Sequence, residues 1–280
     1  MKLYHVLPGD SEEQDMWPLN IMRAEPNYDE DLHRLLDLRP WNRDERRKYD
    51  DAKVRRQIKR NPGAVAIRYN FRFKRGHTRS SSPIFRVVAL GGSLRTVRAC
   101  HMSDRRRRAA RTNYQKNTLL HVACTFRQTV EVVRWILARD PFAVEARNRY
   151  GFTPLHCAAA YGSSADVVRL LIGWCPEAVH SRNILKETPY DAAKHAGASR
   201  EVLELLDPSV MVVDRNLTMR LSESWTSFTS CLGGVEARSE GTARRCSSAL
   251  GVAKNACRER HRNVAINRSK RQKRSCLGIS

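Results

Sequence analysis

The fold of this 280-residue chain is decided by the stretch Thr153-Pro154-Leu155-His156-Cys157-Ala158-Ala159. A related stretch, TPYDAA, begins 35 residues later at Thr188, and another, TLLHVAC, begins 35 residues earlier at Thr118. A weaker copy, SPIFRVV, begins 36 residues before that at Ser82. Similar stretches at one fixed period indicate a repeat architecture, in which each repeat is one supersecondary unit.

The residue types of one unit predict two helices. The hydroxyl of Thr153 can accept from the backbone N–H groups that open a helix, and Pro154 fits the first helical turn, where its missing N–H is not needed. Gly162 can take the left-handed conformation that ends a helix. A second apolar stripe then follows at 167–171. Since such a unit buries its apolar face only against its neighbours, at least three units must stack.

Three further columns keep the same register along the chain. The first is glycine nine residues after each start, at Gly91, Gly162 and Gly197, with Arg127 as the exception. The second is asparagine five residues before the last three starts, at Asn113, Asn148 and Asn183. The third is a Pro-x-Ala-Val signature, which begins at Pro62, Pro141 and Pro176.

These columns resemble the ankyrin repeat family, whose signature is T-P-L-H-x-A. The resemblance covers about residues 30–207 and is strongest at 118–194. It implies an all-α fold, an ankyrin-repeat solenoid of four to five helix-turn-helix units with a disordered basic C-terminal tail. A degenerate first copy begins at 31–33 and resumes at 54–58.

The chain divides by composition into three parts. Residues 1–29 are expected to be a loosely ordered leader and 30–207 an ankyrin repeat domain, whose first two units are degenerate and carry insertions at about 42–51 and 68–80. Insertions in such stacks usually map to the hairpin side. Residues 208–280 hold 14 basic and 5 acidic residues, are rich in Ser, Gly and Asn, and are expected to be a disordered basic tail.

Charge and hydropathy bound the setting in which the protein works. The net charge is +22, which favours an acidic partner or a self-repelling segment. No stretch approaches the ~20 apolar residues that would span a bilayer, and the first residues lack the apolar run of a secretory signal. We therefore expect an intracellular protein, cytoplasmic or nuclear, with a weak nuclear import patch at 270–274. We also expect a monomer.

Catalytic and metal-binding motifs are missing from the sequence. There is no phosphate loop, no H-E-x-x-H and no G-x-S-x-G, and no two of the eight cysteines lie within five residues of each other. His121 and His156, each near a cysteine, suggest a nucleophile and its base. The family resemblance implies instead that each ring ties its turn to adjacent loops by hydrogen bonds. We expect a non-enzymatic protein without cofactor or metal.

The resemblance also implies a binding surface on the hairpin tips and on the outward side of the first helices. Carried over by position, the partner-binding residues are Arg111, Tyr114, Lys116, Phe126, Arg147, Arg149, Tyr150, Tyr161, Arg182 and Lys186, with Leu90 in the same column as Phe126. Arginine and tyrosine are enriched at interface hot spots. The expected function is a scaffold that binds a protein, and the expected partner surface is acidic.

Association with RNA or DNA stays open as an alternative. Two basic patches can contact phosphates, Arg105, Arg106, Arg107 and Arg108 in the second unit and Lys270, Arg271, Lys273 and Arg274 in the tail. Between 68 and 77, basic residues alternate with Tyr69, Phe71 and Phe73, which resembles the combination of charge and rings in single-strand binding proteins. No nucleic-acid fold signature accompanies these residues.

Overall fold

The computed structural model describes residues 26–73, 78–104 and 112–207. These contain eleven α-helices and one two-stranded sheet. The bounds are α1 Glu30–Leu36, α2 Arg43–Arg47, α3 Asp51–Arg60, β1 Tyr69–Arg72, β2 Thr78–Ser81, α4 Pro83–Leu90, α5 Leu94–Ser103, α6 Leu119–Thr125, α7 Val130–Arg139, α8 Pro154–Tyr161, α9 Ala165–Trp174, α10 Pro189–Ala196 and α11 Arg200–Leu206. Short 3-10 turns at Pro62–Ala66, Pro141–Val144 and Pro176–His180 follow three of the helices. The contacts discussed below lie within one compact unit that leaves out 173–176.

The helices alternate between two rows. The first helices of successive pairs, α1, α4, α6, α8 and α10, pack against one another in chain order, and α3, α5 and α7 do the same among the second helices. This mostly helical, repeating arrangement fits the all-α repeat architecture expected from the sequence. The tail at 208–280 and its basic patch lie outside the described residues, as do Arg105 to Arg108.

The caps that the sequence predicted begin and end the helices. Thr153 accepts from the His156 N–H at 3.4 Å, and Thr118 and Thr188 cap α6 and α10 in the same way. Gly162 ends α8 in the left-handed conformation, with φ of +71°, which costs glycine little because it has no Cβ. Local sequence thus fixes where the predicted helices start and stop.

The core lies between the two rows of helices. Ala158, Ala159 and Ala193 are fully buried, and their small side chains let α8 and α10 approach closely. Val168 and Leu171 of α9 are buried completely. Burying one such aliphatic side chain contributes about 2 kcal/mol.

The insertion at 42–51 lies between α1 and α3, the two helices of the first pair. It contains α2, capped by Asn42, whose side chain accepts from the Asp44 N–H at 3.0 Å. From α2, Arg46 donates to the carbonyl oxygens of Leu90 at 3.3 Å and Phe126 at 2.9 Å. The insertion therefore contacts the C-terminal ends of α4 and α6.

The insertion at 68–80 forms the antiparallel hairpin of β1 and β2, with Tyr69 opposite Ser81. Tyr69 and Phe71 are 0% and 1% exposed, and the Tyr69 ring packs beside Tyr28 and His33. The expectation that their rings could stack on bases is wrong for these two residues. Alternate residues of β1 point into the fold because its side chains change face at every step.

The N-cap residue of the first helix, Asp29, is the last residue of the segment that we assigned to the leader. Asp29 is buried, and its carboxylate accepts from the Leu32 N–H at 2.7 Å and from the Gln57 amide at 2.9 Å. Asp29 therefore caps α1 and fastens it to α3. The folded domain includes Asp29, and the predicted boundary after 29 is too late.

Candidate protein-binding surface

Asparagine shapes the three hairpin turns that precede α6, α8 and α10. The side-chain oxygen of Asn183 accepts from the N–H groups of Leu185 at 2.9 Å and Glu187 at 3.0 Å. Asn113 and Asn148 accept in the same pattern. Such local bonds to the backbone favour turns over helix or sheet. The asparagine column therefore gives each hairpin the same conformation.

Backbone hydrogen bonds connect neighbouring hairpin tips. The Arg149 N–H donates to the Gln115 carbonyl at 2.9 Å, and the Ile184 N–H donates to the Tyr150 carbonyl at 3.3 Å. Below them the Asn148 amide donates to the Asn117 side chain at 2.8 Å. The three tips thus form one continuous surface.

Two buried histidines tie the second and third hairpins to the preceding pair of helices. His121 Nδ1 accepts from the Thr118 N–H at 3.2 Å, and its Nε2 donates to the Phe152 carbonyl at 2.9 Å. His156 repeats this with Thr153 and with the Glu187 carbonyl at 3.1 Å. The predicted structural role of both rings is confirmed. Burial lowers the pKa of each imidazole to about 4, so both are neutral at pH 7.

The structure brings most of the predicted partner-binding residues to the tips. Basic side chains are exposed there, and the tyrosines are half-buried: Lys116, Arg147, Arg149, Arg182 and Lys186; Tyr114 and Tyr150. Arg111 lies outside the described residues. These residues share the surface of the three connected tips.

Phe126 and Tyr161 lie apart from the tips. Phe126 caps the C-terminal end of α6, and Tyr161 is the last residue of α8. An eight-residue helix is about 12 Å long, which separates Tyr161 from the hairpin that precedes α8. Leu90, expected on the same concave side, is buried at 3% exposure. Arg46 of the insertion binds its carbonyl and lies against Gly91.

The basic side chains of the tips make no ion pair within the part of the chain that the structure describes. Arg147 and Arg182 donate to backbone carbonyls of their own hairpins, Gly151 at 3.2 Å and Lys186 at 2.8 Å. By contrast, basic residues of the helices pair with carboxylates, as Arg55 does with Asp51 at 2.9 Å. Asp191 attracts Arg182 at longer range and offsets part of this charge. Carboxylates of another molecule would meet the remaining positive charge of the tips.

Sequence reasoning missed a second group of arginines where the first helices end. Arg127 stands in the glycine column, takes φ of +55°, and donates to the Tyr161 carbonyl at 2.6 Å. Arg46 does the same for Phe126. A guanidinium is favourable beside the last carbonyls of a helix, where the helix dipole is negative. The exception of Arg127 in the glycine column was the available signal, whereas nothing near Arg46 in the sequence indicated its contact.

A shallow cavity of about 200 Å³ lies beside Arg127, between the ends of α8 and α10. Its lining is mostly small: Ala159, Ala160, Tyr161, Gly162, Ser163, Ala196, Gly197, Ala198, Ser199 and Val202. The Ser163 hydroxyl already donates to the Cys124 carbonyl at 2.9 Å. The cavity therefore offers little unpaired polarity to a small ligand.

The described residues hold no cluster of three or more His, Cys, Asp and Glu side chains that fits a metal ion. Cys124 and Cys157 are buried, and burial raises the pKa of both thiols, that of Cys157 to about 12. A thiol of such high pKa is a poor nucleophile at neutral pH. None of the described helices is long and apolar enough to cross a membrane.

A family model matches part of this chain. Residues 85–184 match the sequence model for ankyrin repeats, in three copies. A search of curated proteins found no match. The matched segment holds all but the first two residues of α4, the helices α5 to α9, and two of the three hairpin tips described above.

Proposed function

We propose that this chain, whose residues 85–184 are ankyrin repeats, is a non-enzymatic scaffold that binds another protein through its hairpin tips. Ankyrin repeats generally mediate protein–protein interactions. The observation that carries the proposal is the surface of three connected tips, in which exposed basic side chains have no carboxylate partner within the described residues. The partner then offers an acidic surface to a single copy of the chain.

Several features support rigid docking over an adaptable surface. The asparagine bonds and the contacts between tips fix the backbone before a partner arrives, which lowers the entropic cost of binding. The buried histidines connect the hairpins to the helices behind them. Tyrosine and arginine bring large contact areas with few rotatable bonds lost.

Nucleic acid remains the rival partner. Two basic patches of this alternative, at 105–108 and 270–274, lie outside the described residues. Within the described residues, the burial of Tyr69 and Phe71 removes two of the three aromatic rings on which bases were expected to stack. Binding through phosphates alone would be strongly dependent on salt, by about 0.9 log units of affinity per neutralised phosphate for each log unit of salt.

Charge reversal on the full-length chain tests the proposal. Arg149→Glu with Lys186→Glu changes the tips, and Arg56→Glu with Arg95→Glu makes the same change in net charge on α3 and α5, where both side chains are exposed. Affinity capture from cell extract, read by mass spectrometry, should recover a protein with the wild type and the control but not with the tip variant.

The same capture distinguishes the rival. Nuclease treatment should leave recovery of the partner unchanged, and higher salt should weaken it only modestly. Recovery that disappears with nuclease, or that is equal for the tip variant and the wild type, would contradict the proposed function.

A further inference from the structure

Two large aliphatic side chains are exposed at the third hairpin tip. Ile184 is 59% and Leu185 is 49% exposed, and they are neighbours at the centre of one turn. Among the described residues, the other exposed large apolar side chains are not sequence neighbours of one another: Trp41, Met102 and Phe142. Single exposed apolar residues are ordinary, but an adjacent pair on a formed turn marks a contact surface.

The turn does not need these two side chains to form. The side-chain oxygen of Asn183 fixes the turn by accepting from the backbone N–H groups of Leu185 and Glu187. Neither bond uses the side chain of Ile184 or Leu185. Ile184 contributes its N–H to the Tyr150 carbonyl, which again uses no side chain. The aliphatic side chains therefore continue a ridge that begins at Tyr150.

Lysine replaces glycine at the strained position of two tips. Lys116 and Lys186 take φ of +58° and +64° at the position where the middle tip has Gly151, with φ of +73°. A left-handed backbone is strained for a residue with a Cβ, which crowds the following carbonyl oxygen, and is unstrained for glycine. The two lysines adopt this conformation despite the strain. They place one cation on each of the two tips that flank the middle tip, which carries Tyr150. Arg149 and Arg182, which are exposed on the second and third tips, add two further positive charges.

We propose that this ridge, defined by Tyr150, Ile184 and Leu185, binds an acidic protein segment that carries aliphatic or aromatic side chains. The inference rests on the proposed function and names the class of its partner. The apolar side chains of the segment bury Ile184 and Leu185, and its carboxylates meet Lys186 and Arg149. Nucleic acid fits the ridge less well, because Ile184 and Leu185, its two most exposed side chains, supply neither the stacking rings nor the hydrogen bonds that bases require.

Selection from a random peptide library tests this chemistry with the full-length chain. Peptides of about 12 residues extend about 40 Å, enough to cross the ridge. The selected peptides should contain acidic and large apolar residues together. Their affinity should fall about tenfold or more in the Ile184→Ser, Leu185→Ser variant, because central apolar contacts of an interface each contribute over about 1 kcal/mol. Met102→Ser, which removes an exposed apolar side chain elsewhere, should leave the affinity unchanged.

Three results overturn the inference. They are peptides that are acidic without apolar residues, peptides that bind the serine variant as tightly as the wild type, and no enrichment at all. In the first two cases, charge-dependent docking on the tips survives, so the scaffold function stands while the apolar part of the recognition falls. Thermal unfolding of the serine variant at the wild-type midpoint verifies that a lost affinity is not a lost fold.

Discussion

Acid should destabilise the protein through its two buried histidines. Each imidazole has an ordinary pKa of 6.5 and a folded pKa of about 4, because burial penalises the charged ring. Nearby positive charge on Arg147 adds to the effect at His156. Between pH 6.5 and 4 the unfolded chain binds a proton at each ring and the folded chain does not. Stability is therefore fully present above pH 6.5 and is lost as the pH falls toward 4.

The size of this effect follows from the two pKa values. At pH 5 the unfolded imidazole is almost fully protonated and the folded one is mostly neutral, which lowers the free energy of unfolding by about 2 kcal/mol per histidine. Both together give about 4 kcal/mol, a large part of the 5–15 kcal/mol that is typical of a domain. The carboxylate of Asp191, whose pKa is lowered by its bonds to Thr188, contributes stability that is lost only at lower pH.

Urea unfolding followed by circular dichroism, at pH 7 and pH 5, measures this loss. The matched variant is His121→Gln with His156→Gln, since glutamine keeps one donor and one acceptor but does not titrate. The variant should be less stable than the wild type at pH 7 and should lose little further stability at pH 5. A wild type equally stable at the two pH values, or a variant that retains the full loss, would refute the assignment of neutral buried rings.

Three further predictions concern glycine, buried charge and thiols. Gly92→Ala should lower the free energy of unfolding by about 2 kcal/mol, because the new Cβ would lie 2.4 Å from a Val87 methyl and 2.9 Å from the Val87 carbonyl oxygen. Gly197→Ala, in open space at φ of +64°, should lower it by about 1 kcal/mol. Urea midpoints that rank the two variants in the reverse order would disprove this prediction. Arg86→Met should destabilise by about 3 kcal/mol in the same assay, because the buried guanidinium donates to the carbonyls of Leu36 at 3.2 Å and Arg72 at 2.7 Å; a loss below about 1 kcal/mol would mean that these carbonyls find other donors. Cys124 and Cys157 should resist iodoacetamide at neutral pH until urea unfolds the chain, and peptide mapping that finds them modified in the native protein would contradict their burial.

The sequence predicts those features that short-range chemistry decides. Thr153, His156 and Gly162 are read correctly because a cap involves only residues within one turn of a helix. The period also aligns Ala158 with Ala193, and both are buried in the structure. The predicted tips also lie together, because their spacing equals the repeat.

Features that depend on contacts without a period could not be predicted. Arg46 binds a carbonyl 80 residues away, and no pattern within the insertion indicates that partner. Tyr69 and Phe71 alternate with basic residues as an exposed strand would, but α1 covers that face of the hairpin. Leu90 was assigned to a free surface by its position in the repeat, whereas the structure buries its side chain, and Arg46 of the insertion donates to its carbonyl.

The reach of Arg46 has a consequence for how the array opens. In a stack whose modules contact only adjacent modules, fraying proceeds from either end, one module after another. Arg46 starts in the first pair of helices and holds the ends of both the second and the third. The N-terminal three pairs are thereby coupled beyond nearest neighbours, so they should melt as a single cooperative block, whereas the last pair can detach alone.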